Sequence, residues 1–204
     1  MLVKICGLRD NFNEVLTLKP DFAGMIFYPK SPRYVPSDAD RELKRKIYGT
    51  FKTGVFVNES FDRIIETVKE FNLDFVQLHG GESPEFCAKI REKIPVIKAF
   101  GISSPEDFFK TESYENCADY FLFDTKTESF GGSGRKFNWE MLSGINVPKK
   151  FLLSGGISPD DIPQIKNLKI KNLAGVDLNS RFELSPTEKN IEALRTAVKL
   201  LTIS

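Results

Sequence analysis

Asp124 closes an apolar run, Tyr120-Phe121-Leu122-Phe123, and opens onto Thr125-Lys126-Thr127 and the loop Gly131-Gly132-Ser133-Gly134. A carboxylate at the C-terminal tip of a buried strand is where a parallel α/β enzyme keeps an acid or base. Apolar neighbours penalise the charged form, so such a carboxyl can hold its proton closer to neutral pH. The plainer alternative is an aspartate that starts a loop by capping backbone amides. Cys6 has a similar place, ending Leu2-Val3-Lys4-Ile5 and preceding Gly7. It reads either as an inert core thiol or, on one strand face with Lys4, as a thiolate that takes a proton. Arg33 lies in Lys30-Ser31-Pro32-Arg33-Tyr34, a proline-stiffened loop. It is either a surface arginine or a guanidinium that grips a carboxylate with two bonds. His79 stands in Leu78-His79-Gly80-Gly81, either bonded to backbone or lining a pocket.

Two further strand ends have the chemistry of an anion site. Ser154-Gly155-Gly156 precedes a helix start capped by Ser158. Paired glycines let backbone amides approach an anion, and the helix terminus favours negative charge. Asp177-Leu178-Asn179-Ser180 ends the last apolar run. In (β/α)₈ barrels the loops after strands seven and eight frequently form a phosphate site.

Elements must hold these residues in place. Apolar runs recur at Leu2–Cys6, Phe22–Tyr28, Lys52–Val57, Phe75–Leu78, Val96–Phe100, Tyr120–Asp124, Lys150–Ser154 and Leu173–Asp177. The spacing leaves room for one helix between each pair. Ser83-Pro84, Ser104-Pro105, Ser158-Pro159 and Ser185-Pro186 each put a capping hydroxyl before a proline, the arrangement that opens a helix. Ser185-Pro186-Thr187-Glu188 also has the form of a capping box. Helical spacing joins Ile64, Ile65, Val68 and Phe71, and likewise Ile191, Leu194, Val198 and Leu201. Repeated strand–helix units predict a single (β/α)₈ barrel domain over residues 1–204, with an open doubly wound sheet as the alternative.

Alternation along the strands predicts which side chains share a face. Lys4 pairs with Cys6, Gln77 with His79, Lys98 with Phe100, Leu122 with Asp124, and Gly175 with Asp177. If these faces line the interior, Lys4, Lys98, Asp124 and Asp177 meet there, and buried charges of both signs must pair.

Composition narrows the class. Hydrophobic residues make up 41% and charged residues 28% of 204, with a net charge of +1. That balance gives no electrostatic reason to expect nucleic acid or an acidic membrane as partner. No apolar run approaches the ~20 residues of a membrane helix, and Met1–Cys6 turns polar too early for a signal peptide. Three scattered cysteines favour a reducing cytoplasm over a disulfide framework. Cys87 and Cys117 read as packing residues, and no ligand cluster suggests a metal.

Taken together, the motifs resemble phosphoribosylanthranilate isomerase, a (β/α)₈ enzyme of tryptophan biosynthesis. The resemblance rests on Val3-Lys4-Ile5-Cys6-Gly7, Phe27–Tyr34, Gly54–Asn58, Val76-Gln77-Leu78-His79-Gly80, Asp124-Thr125-Lys126-Thr127 with Gly131–Gly134, and Leu153-Ser154-Gly155-Gly156, in order along nearly the whole chain. It implies Cys6 as general base, Asp124 as general acid and Arg33 as the holder of the anthranilate carboxylate. The phosphate would lie among Gly155, Gly156, Asn179 and Ser180, with His79 and Asp177 also facing the substrate. Where the family often reads Ser-Gly-Val-Glu, this chain has Ser180-Arg181-Phe182-Glu183.

The implied reaction is a cofactor-independent Amadori rearrangement of N-(5-phosphoribosyl)anthranilate by a monomer or homodimer. Asp124 would protonate the ring oxygen as the sugar opens, and Cys6 would take the proton from the second carbon. One group must be neutral while the other is charged. The rivals are the related sugar-phosphate isomerase of histidine biosynthesis, indole-glycerol-phosphate synthase, and a non-catalytic phosphosugar binder. The first uses an aspartate at the place of Cys6, the second lysine and glutamate chemistry, and the third needs only the phosphate loops.

Overall fold

The computed structural model describes residues 1–125, 139–142 and 145–202. Lys126, Thr127 and the Gly131–Gly134 loop lie outside them. Eight parallel strands close into a barrel: β1 (Leu2–Ile5), β2 (Phe22–Ile26), β3 (Phe51–Phe56), β4 (Phe75–Leu78), β5 (Val96–Ile102), β6 (Tyr120–Thr125), β7 (Phe151–Leu153) and β8 (Leu173–Leu178). Each pairs with the next in sequence, and β8 returns to β1 through Leu2↔Gly175, Lys4↔Asp177 and their neighbours. All eight expected strands are present, and closure excludes the open sheet.

The connecting helices are α1 (Phe12–Leu16), α2 (Arg41–Lys44), α3 (Phe61–Phe71), α4 (Pro84–Arg91), α5 (Ile162–Lys166) and α6 (Ile191–Thr202). Their ends follow from local chemistry. Ser60 accepts from Arg63 N at the start of α3, whose end turns through left-handed Asn72. Ser83 accepts from Phe86 N, with Pro84 in the first turn of α4, where its missing N–H costs nothing. The Ser104-Pro105 start holds, but Pro105–Tyr114 winds as a 3₁₀ helix. At Ser158, Asp161 accepts from the Ser158 backbone N at 2.9 Å and from its hydroxyl at 2.8 Å.

The expected helix start at Ser185 is overturned. Glu183–Ser185 (β9) and Glu188–Lys189 (β10) form a small antiparallel hairpin. Tertiary bonds outweigh the local capping pattern. Thr187 turns the hairpin at φ 80, and its hydroxyl bonds to Asp10 and Arg9. Asn11 clamps the Lys189 backbone with two 2.9 Å bonds. Helix α6 starts later, where Asn190 accepts from Ala193 N.

Two cores sit inside and outside the sheet. Phe22, Ile97, Ala99, Leu122 and Leu152 fill the barrel, closed below by edge contacts of Phe22 with Phe75 and Tyr120. The larger core lies between strands and helices and includes Val76, Leu78, Val96, Phe100, Phe121 and Phe123. This corrects the expected interior of β5. Ile97 and Ala99 face inward, so Lys98 and Phe100 face the helix layer. There Lys98 Nζ donates to Leu78 O, Gly80 O and Glu82 Oε2 at 3.2, 2.8 and 2.9 Å. Lys52 on β3 points outward in the same way, donating to the carbonyls of Leu43, Arg45 and Phe71.

Candidate active site

Strand tips bring the expected residues to one cavity at the C-terminal end of the barrel. Cys6, Arg33, His79, Asp124, Gly155, Gly156, Asp177, Asn179 and Ser180 all line it. Ile26, Tyr28, Val55 and Val57 add an apolar wall, and Ser31, Gln77, Ser154 and Ile157 complete the lining.

Beneath the cavity, Lys4 Nζ lies 2.8 Å from Asp177 Oδ1, with side chains 0% and 5% exposed. The interior therefore carries one lysine–aspartate pair on these two strands. Cys6 extends the β1 ladder through its N–H to Leu178 O at 2.9 Å. Its thiol is pushed up by burial, while the hydrogen-bonded ammonium of Lys4 and the charge of Lys189 pull it back. Burial likewise pushes the Asp177 carboxyl up against the pull of Lys4. One buried cation thus faces two acids, and burial favours the thiol form of Cys6 against the pull of Lys4 and Lys189.

Asp124 stands at the tip of β6 with a quarter of its side chain open, so apolar shielding is only partial. His79 Nε2 is 3.5 Å from Asp124 Oδ2. Gln77 Nε2 lies 2.9 Å from His79 Nδ1. This contact fixes the ring so that Nε2 is the nitrogen facing Asp124. The His79 loop is held by Glu82, which accepts from Asn58 N at 2.8 Å and from Gly80 N at 3.0 Å.

The sequence did not foresee what surrounds Arg33. Its Nε and Nη2 bond to Glu183 at 2.6 to 3.0 Å, and Glu183 also binds Lys189. Arg33 therefore faces the cavity already gripped along one edge. Gly7, at φ +75, makes this approach possible: a Cβ there would stand 2.6 Å from Arg33 Cδ and 2.7 Å from Asn179 Oδ1. The expected helix start at Ser185 gives no reason to place Lys189 beside Glu183; the hairpin register does. Gln77 was visible as an inward residue, but its role beside His79 was not.

On the other side, Gly155 and Gly156 adopt φ 89 and 67, the left-handed turn that glycine permits. Asn179 is held by Lys189 Nζ at 2.9 Å. Arg181 is exposed and outside the cavity lining. Among the described residues no group of His, Cys, Asp and Glu has the arrangement of a metal site.

Residues 3–200 match the family model for N-(5'phosphoribosyl)anthranilate (PRA) isomerase. An N-(5'-phosphoribosyl)anthranilate isomerase of Parabacteroides distasonis is 42% identical over 205 residues, covering 98% of this chain and 92% of its own. The crystal structure of phosphoribosyl anthranilate isomerase from Thermotoga maritima is 34% identical, with a TM-score of 0.86 over 98% of both chains. A phosphoribosyl anthranilate isomerase in complex with reduced 1-(o-carboxyphenylamino)-1-deoxyribulose 5-phosphate is 31% identical, with a TM-score of 0.83 and the same coverage.

Proposed function

The chain belongs to the N-(5'-phosphoribosyl)anthranilate isomerase family, and from that premise we propose how its residues divide the work. The reaction is the Amadori rearrangement of N-(5-phosphoribosyl)anthranilate to 1-(2-carboxyphenylamino)-1-deoxyribulose 5-phosphate, a step of tryptophan biosynthesis. Asp124 donates a proton to the furanose oxygen, and the ring opens to a Schiff base. Cys6 removes the proton on the sugar's second carbon, and the enolamine tautomerises to the aminoketone. His79, fixed by Gln77, stands next to the acid.

The phosphate is bound among Gly155, Gly156, Asn179 and Ser180, and the ring carboxylate at Arg33. The apolar wall of Ile26, Tyr28, Val55 and Val57 receives the aromatic ring. Asp177 keeps Lys4 charged beneath Cys6 and borders the sugar. What carries this reading is the convergence of Cys6 and Asp124, from the tips of β1 and β6, and Arg33, from the loop after β2, on one cavity. A binder would need the phosphate end alone. The free cysteines suit a reducing cytoplasm, and among the described residues no helix is long and apolar enough to cross a membrane.

Because burial raises the Cys6 thiol, kcat/KM should climb with pH as the thiolate fraction grows. Loss of fluorescent phosphoribosylanthranilate on mixing with the purified protein tests the reaction. Cys6→Ala and Asp124→Asn should each lower turnover by ~10²–10⁴, the usual contribution of one acid–base group, with folding intact. A folded Cys6→Ala protein within about threefold of the parent, a difference under ~1 kcal/mol in barrier, would remove Cys6 from the mechanism.

A further inference from the structure

The site holds a second buried ion cluster that the acid–base chemistry does not use. Arg33, Glu183 and Lys189 are almost dry, with side chains 9%, 4% and 0% exposed. Two basic side chains share one carboxylate; burial pulls the Lys189 ammonium down against the pull of Glu183, and with Lys189 protonated the cluster has one positive charge without an anion of its own. The neighbouring Lys4–Asp177 pair is balanced, Asn179 is neutral, and burial favours the thiol form of Cys6. A buried surplus charge is costly unless something compensates it. The opening of this cluster is Arg33, which lines the cavity. Its Nε and Nη2 are consumed by Glu183. Its Nη1 makes no hydrogen bond to a described residue.

The local fold is arranged around this grip. The hairpin register sets Lys189 opposite Glu183, so both side chains reach the same point. Asn11 and Thr187 anchor the hairpin to the loop after β1. Guanidinium–carboxylate bonds in parallel fix an arginine's plane as well as its position. A carboxylate alone would neutralise Arg33 and spoil it as an anion receptor; a lysine behind that carboxylate restores the charge.

We propose that Glu183 and Lys189 are positioning residues that hold Arg33 by one edge and leave its other edge, with one net positive charge, for the ring carboxylate of the substrate. This rests on the reading of Arg33 as the carboxylate holder. Neither residue touches the reacting atoms; Glu183 acts on Arg33 directly, and Lys189 acts through Glu183 while also holding Asn179.

The test is calorimetry on the full chain with two ligands. One is reduced 1-(o-carboxyphenylamino)-1-deoxyribulose 5-phosphate, and the other is the same compound without the ring carboxylate. Lys189→Met removes the surplus charge and also frees Asn179, so it should weaken the first ligand at least about tenfold more than the second, the loss common to both reporting the Asn179 contact. Glu183→Gln adds a net charge but loosens the grip. It should leave the first ligand bound at least as well, while kcat falls about tenfold because the ring is held in the wrong place. Opposite effects on affinity from two members of one network are not what a folding role produces. Equal weakening of both ligands by both variants would overturn the proposal. If Lys189→Met does not fold, the nearly isosteric Glu183→Gln decides alone. Arg33→Met separates the two readings. If it treats both ligands alike, the Arg33 assignment falls and this proposal with it. If it is selective and the other variants are not, only this proposal falls.

Discussion

Replacing Lys4 by Met should reveal how much the floor of the site depends on one charge. Lys4 and Asp177 lie 2.8 Å apart and are nearly fully buried. At an effective dielectric of ~20 that separation corresponds to about 6 kcal/mol of attraction, most of it offset by desolvation. Removing one partner of such a pair costs ~3–5 kcal/mol, because the other is left buried and charged. Asp177 limits the loss by taking a proton. From an ordinary carboxyl near 3.9, that costs about 4 kcal/mol at pH 7 and ~1.4 kcal/mol less for each pH unit below. The sign follows: in Lys4→Met the folded carboxyl is raised, so the unfolded state binds fewer protons and stability grows as pH falls. Urea unfolding of parent and variant at pH 7, 6 and 5 should therefore show a difference of ~3–4 kcal/mol that shrinks by about 1.4 kcal/mol per unit. Asp177→Asn should be milder, because Lys4 keeps Cys6 as a partner and the thiol can ionise. The Asp177 charge pushes Cys6 up, so the acid limb of kcat/KM should move to lower pH in that variant. A Lys4→Met loss below about 1 kcal/mol, or one that ignores pH, would refute the reasoning.

Three other measurements bear on the site and its frame. Gly156→Val should weaken binding of inorganic phosphate by at least about tenfold, since a branched residue is strained at φ 67; unchanged affinity in calorimetry would move the phosphate elsewhere. Burial pushes Cys87 up from 9.0 to about 12. The stability it supplies is full below pH 9 and lost as pH rises toward 12, so denaturation of Cys87→Ala should show a shallower alkaline decline than the parent. Arg33 and Lys189 both feel the charge of Cys6. A carboxylate bound at Arg33 should therefore raise the thiol further, and affinity for the reduced product analogue should fall as pH passes the Cys6 value. Identical affinities on both sides of that value would uncouple the two groups.

Most of the architecture was legible because period and punctuation agree in this sequence. All eight apolar runs are strands, and Ser83-Pro84 opens a helix where the pattern placed one. The errors have physical causes. Alternation puts Lys98 on one face with Phe100, and the expected interior took that face, but the inward positions on β5 are Ile97 and Ala99. Strand parity alone does not say which face is which when both faces are apolar. A lysine can lie under the helix layer when carbonyls and a carboxylate receive it, as Glu82 and Gly80 receive Lys98. Ser185 carried a strong local capping signal, yet bonds to Asp10, Arg9 and Asn11, more than 170 residues away, bend that segment into a hairpin.

The same contrast explains which functional residues could be read in advance. Cys6, Asp124 and Asp177 sit at or just beyond strand ends, and Gly155-Gly156 and Ser180 in the turns that follow, so sequence position carried them into the cavity. Glu183 and Lys189 do not. They reach Arg33 only because a hairpin crosses back over the end of β1, a long-range event with no local signature. What chemistry needs at the tips is set by one strand each, whereas the charge balance around Arg33 is set by three loops at once. The buried inventory follows the same division. At the barrel floor one cation serves two acids, so a proton must stay there. At the rim two cations serve one carboxylate, so an anion must come. A substrate whose aromatic ring carries a carboxylate supplies the anion that the rim cluster lacks, and its sugar places the carbon–hydrogen bond to be broken over the floor.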